Sequence, residues 1–80
     1  MKINAIKDLV ENHSKETIEE LTRQLENGEP LSHEVGGDDE GEQLTHLLGA
    51  SWIMQQIEEK GTDFKTELRN FTARVRGSIS

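Results

Sequence analysis

Glu42 and His46 stand four residues apart, a spacing that puts both on one side of a helix. A carboxylate and an imidazole, joined by His13 or His33, are donor types that suit a transition metal. No ligand motif supports the idea. There is no His-Glu-x-x-His, and position 43, three before His46, is Gln. The simpler reading is a hydrogen-bonded or exposed helix pair worth roughly 0.3 kcal/mol. The expectation is therefore no metal, with Glu42 and His46 as the alternative. Asp38, Asp39, Glu40 and Glu42 are the hard donors that Ca²⁺ or Mg²⁺ prefer, but their order does not fit an EF-hand loop. The same acids suit the positive end of a helix beginning there. Ser14, Ser32 and Ser51 have no activating base at a recognisable spacing. Gly36, Gly37 and Gly41 lack the Lys-Ser or Lys-Thr of a phosphate loop, in a stretch whose negative charge repels phosphate. The chain thus reads as non-enzymatic and without a cofactor.

Eighty residues make one domain at most, here spanning 1–80. With 31% hydrophobic residues the core is thin for a monomer of this size. Cysteine is absent, so no disulfide, catalytic thiolate or Cys-based zinc site supports the chain. Association of subunits is the remaining common source of buried area. The formal charge is −7, with 16 acidic and 9 basic residues. That opposes nucleic-acid binding, which needs a basic face, and binding to anionic membranes. The apolar run Leu47–Met54 is broken by Gly49 and Ser51 and falls far short of the ~20 residues of a membrane span. The N-terminus lacks the apolar stretch of a signal peptide, so the expected location is the cytoplasm.

Four helices are expected to position these residues. Asn4 caps the first, over about 4–11, with Ile3, Ile6, Leu9 and Val10 on one face. Ser14 caps the second, 14–27, whose stripe is Ile18, Leu21 and Leu25 and which ends at a left-handed Gly28. The third, 42–60, is apolar around most of its circumference and must be buried on most of it. Its Gly49 and Ala50 admit a close helix crossing, and Gly61 ends it in the left-handed region. Thr62 caps the fourth, 62–78, with the apolar edge Phe64, Leu68, Phe71, Val75 and Ile79. The connector 28–41 alternates Leu31, His33 and Val35 with Ser32 and Glu34. The alternation allows one short extended piece there, which needs the same piece of another subunit to pair with.

The run Glu40-Gly41-Glu42-Gln43-Leu44-Thr45-His46-Leu47-Leu48 carries a resemblance. So do Met1-Lys2-Ile3-Asn4-Ala5-Ile6-Lys7, Val10-Glu11-Asn12-His13-Ser14, Asp63-Phe64-Lys65-Thr66 and Arg74-Val75-Arg76. Across its whole length the chain resembles a family of short, acidic, uncharacterised proteins, a domain of unknown function, from Bacteroidetes-type bacteria. The resemblance implies a small cytoplasmic helical protein and assigns no functional residue.

The fold class is all-α, a small bundle whose last two helices form an antiparallel hairpin through Lys60-Gly61-Thr62. The expected function is a self-associating interaction module, a homodimer in preference to larger oligomers, with a further protein partner unidentified. Leu48, Trp52 and Ile53 are the candidate interface residues, because the other helices cannot cover all of the third. The rivals are a metal- or small-ligand-binding protein using Glu42 and His46, and an acidic decoy for a basic protein surface. The charge split bears on association. Residues 1–42 hold 12 acidic and 4 basic side chains, residues 43–80 hold 4 and 5, and opposite ends attract within or across subunits.

Overall fold

Side-chain oxygens decide where three of the four helices begin. Ser14 Oγ accepts from the Thr17 N–H at 3.2 Å, Asp39 Oδ1 from Glu42 at 2.8 Å, and Asp63 Oδ1 from Thr66 at 2.8 Å. The chain is seen as a computed structural model that describes residues 2–79, with side chains for residues 2–77. Among these residues it is all-α, with no strand: α1 (Ile3–Asn12), α2 (Lys15–Glu26), α3 (Glu40–Lys60) and α4 (Phe64–Ile79). α2 ends as the sequence predicts, in a Schellman motif. The Gly28 N–H reaches Leu25 O, the Glu29 N–H reaches Gln24 O, and Gly28 has φ 72°. Gly61 closes α3 at φ 66°, and no atom lies within 4 Å of where a Cβ would stand. An alanine there would meet only backbone strain, about 1 kcal/mol.

Three helix starts differ from those expected. α1 begins at Ile3, with Lys2 rather than Asn4 in the cap position and no side chain capping it. α3 begins two residues before Glu42, because Asp39 provides the cap. α4 begins at Phe64, because the Asp63 carboxylate takes the role assigned to Thr62. The Thr62 hydroxyl instead donates to Glu67 Oε2 at 2.7 Å.

α3 packs against each of the other helices and forms the axis of the molecule. That explains its lack of one apolar stripe: it has neighbours on several sides. The core joins Ile6 and Leu9 of α1, Ile18 and Leu21 of α2, Val35 of the connector, and Leu47, Ala50 and Ile53 of α3. Each fully buried Ile or Leu among them contributes roughly 1.5–3 kcal/mol. Phe71 of α4 packs on α3 at Gly49, where a Cβ would lie 2.9 Å from its ring, and meets the Trp52 ring at 5.9 Å between centroids. Ile79, the last residue of the expected α4 edge, has its side chain outside the described residues.

The connector is where the extended-segment expectation fails. Several of its backbone groups find partners within the same chain. Gln43 Nε2 donates to Val35 O at 3.1 Å, and His46 Nδ1 lies 2.7 Å from Gly36 O. Val35 is thereby drawn into the core, and Gly37 (φ 143°) passes so close to α3 that a Cβ would sit 2.9 Å from the Gln43 nitrogen.

Candidate functional site

His46 projects from the first half of α3 into the space between α1 and the connector and is fully buried. The Lys2 backbone N–H donates to its Nε2 at 2.9 Å. Nε2 is therefore the acceptor, the proton sits on Nδ1, and Nδ1–H donates to Gly36 O. Both nitrogens are occupied by main-chain groups, so the alternative of a metal held by Glu42 and His46 has no open imidazole nitrogen to use. Glu42 Oε1 accepts from the Asp38 N–H at 3.1 Å and lies 3.8 Å from Lys2 Nζ. Lys2 Nζ also meets Asp38 Oδ1 at 3.2 Å. Its ammonium is held above its ordinary pKa by the Asp38 hydrogen bond and charge first, then by the charge of Glu42. The acidic run 38–42 thus caps α3 and holds the start of α1. Among the described residues, no three metal-ligating side chains gather around an ion-sized space.

Glu67 is the second buried polar residue, and no motif in the sequence marks it. Its carboxylate accepts from Thr62 Oγ1 and, at 3.1 Å, from Asn70 Nδ2. The Asn70 half, an i,i+3 pair, was readable. The Thr62 half needed the true start of α4. These donors hold the Glu67 carboxyl below its ordinary pKa, Thr62 first and Asn70 second, against the opposing effect of burial. A depressed folded-state pKa stabilises the fold above the unfolded value, ~4.3, and that contribution disappears as pH falls through the folded value. Urea midpoints measured from pH 7 down to about pH 3 should fall more steeply for the native chain than for Glu67→Gln. Equal slopes would show that Glu67 carries none of the acid sensitivity.

The candidate interface residues separate. Ile53 is fully buried in the core of its own chain and is not available to a partner, because it lies on the α3 face turned toward the core cluster. Trp52 is half-buried, with its ring against Phe71 and the Arg74 guanidinium 5.5 Å above it. Leu48 remains 52% exposed in the middle of α3. It borders a shallow groove of about 320 Å³ shared with Ser51 and with Glu19, Thr22, Arg23 and Glu26 of α2. Arg23 is engaged by Glu20 at 2.6 Å and Glu29 at 2.9 Å, which push its pKa further up, Glu20 foremost. A wider cleft of about 780 Å³ lies between α1 and the connector. His13 stands at its wall, and the His13 and His33 rings are 4.9 Å apart between centroids. Sequence spacing gave no sign of that pairing, because twenty residues separate the two histidines.

Over residues 1–80 the sequence matches the family of unknown function DUF6952. The chain belongs to this family. No curated protein and no solved structure matches it. DUF6952 is a family of unknown function, so membership brings no site residues with it. No described helix is long and apolar enough to cross a membrane.

Proposed function

We propose that this member of DUF6952 is a non-enzymatic interaction module of the cytoplasm that works as a two-fold dimer, within a family of short acidic chains of Bacteroidetes-type bacteria. The observation that carries the reading is Leu48, half exposed at the centre of the helix on which the whole fold is built. The antiparallel hairpin expected for α3 and α4 puts Val75, itself 36% exposed, one turn past Phe71 and level with Leu48. The chemically capable side chains elsewhere, His46, Glu67, Asp39 and Asp63, are engaged in holding the fold, which favours a binding role over catalysis.

Charge selects a second copy as the occupant. Ser51, on one flank of Leu48, faces α2 with Glu19 and Glu26; Trp52, on the other flank, faces α4 with Arg74. A two-fold axis running along α3 sets α2 of each copy against α4 of the other, acid against base. A two-fold crossing α3 would set α2 against α2 and like charge against like. Sedimentation at micromolar concentration should give twice the mass of one chain. Leu48→Asp should give one chain with unchanged helix content, and Glu19→Lys with Glu26→Lys should weaken the dimer most at low salt. A single-chain mass for the native protein, or a Leu48→Asp mass equal to that of the native dimer, would overturn the proposal.

A further inference from the structure

His13 occupies the two-residue break between α1 and α2, where its own N–H closes α1 on Leu9 O at 3.2 Å. His33 lies in the connector. The two rings are 4.9 Å apart between centroids and inclined at 57°. His46 has both nitrogens hydrogen-bonded; the ring nitrogens of His13 and His33 have no such partner among the described residues. The backbone of His13 is fixed by the helix end, and the residue is half-buried.

The separation has a chemical meaning. A metal–nitrogen bond of about 2.0–2.1 Å places an ion roughly 3.2 Å from an imidazole centroid. Two imidazoles on one ion then have centroids about 4.5 Å apart at a right angle and about 5.2 Å apart at the tetrahedral angle. The observed spacing falls between these limits. The geometry points to a two-imidazole site, His13 with His33, for a divalent first-row transition ion of the zinc or nickel type. Imidazole suits those ions better than it suits Ca²⁺ or Mg²⁺. No third histidine or carboxylate closes the set among the described residues, so water completes the coordination. Asp8 and Glu34 line the adjoining cleft, and in a chain of charge −7 they raise the local concentration of cations without ligating them. A bound ion would clip the connector to the α1–α2 junction, tying down the segment that carries Val35 into the core.

The site is independent of the dimer and is tested separately, with tag-free protein titrated with Zn²⁺ or Ni²⁺ alone. Calorimetry should show one saturable site per chain, and the thermal midpoint should rise with the ion by mass action. Each single variant, His33→Ala and His13→Ala, should lose affinity on the order of a hundredfold, because chelation by two linked groups is reduced to binding by one. His33 is exposed, so His33→Ala should keep the metal-free midpoint of the native chain, which separates loss of a ligand from loss of the fold. In zinc titrations followed by NMR, the ring protons of His13 and His33 should shift together while those of His46 stay. Absence of saturable binding, or binding that survives His33→Ala, would leave the ring pair as a packing contact and overturn the site.

Discussion

His46→Ala should destabilise the fold by about 3 kcal/mol, from the void left by a buried ring and two unmade hydrogen bonds. The ring joins three separate pieces of chain: the residue that opens α1, the connector at Gly36, and α3 itself. Without it the Lys2 N–H and the Gly36 carbonyl lose their partner together. His46→Phe keeps the volume and removes only the polar half, so it should retain about half of the loss. Asn and Gln separate the two bonds further: Asn can place a donor near the Nδ1 position, and Gln can place an acceptor near Nε2. Urea denaturation followed by helix content gives the energies. Amide exchange should show α1 and the Val35–Gly37 stretch opening first in His46→Ala, ahead of α4. A midpoint equal to that of the native chain would show that the ring fills space and no more.

The sequence made α3 and the ends of α2 readable, and left His46 unread, for physical reasons. Gly28, Gly61 and Ser14 act through the few residues next to them, so their roles follow from type and position alone. The apolar girth of α3 likewise announced a helix with neighbours on several sides. His46 draws on residues 44 and 10 positions away, and nothing local says which backbone groups will arrive. The i,i+4 pairing with Glu42 was sound as helix geometry and misleading as chemistry, since Glu42 turns to the Asp38 amide while His46 turns inward. Ile53 was misplaced for a related reason. With apolar residues all round α3, periodicity cannot say which of them a neighbour will cover; the core takes Ile53 and leaves Leu48 in the open. The error at Thr62 is of another kind. Thr62 and Asp63 are both good caps; the Asp63 carboxylate takes the Thr66 amide and starts the helix one residue later, while the Thr62 hydroxyl finds Glu67.

Gly49→Val should cost about 3 kcal/mol, because it adds branches beyond the Cβ at a close contact of Phe71 with α3. A Cβ at this position would lie 2.9 Å from Phe71 Cε2 and 3.0 Å from Cζ, with Ile6 Cδ1 at 3.4 Å. A branched side chain adds two methyls to a Cβ that already lies against both α4 and α1. Gly49→Ala is different. It gains about 1 kcal/mol of helix propensity, and the half-buried Phe71 ring can yield by a few tenths of an ångström, so its net effect should be near zero. The pair of variants therefore tests whether Gly49 is present for spacing or is a tolerated weakness of α3. Trp52, the single tryptophan, touches Phe71 and reports on the same contact through its emission. In Gly49→Val that emission should move toward the solvent-exposed form before the helix signal is lost in urea, as α4 separates from α3. Phe71→Ala in the Gly49→Val background should recover part of the loss, giving a coupling energy between the two positions. Additive effects, or a Gly49→Val midpoint equal to that of the native chain, would show that α4 rests on α3 through other contacts than this one.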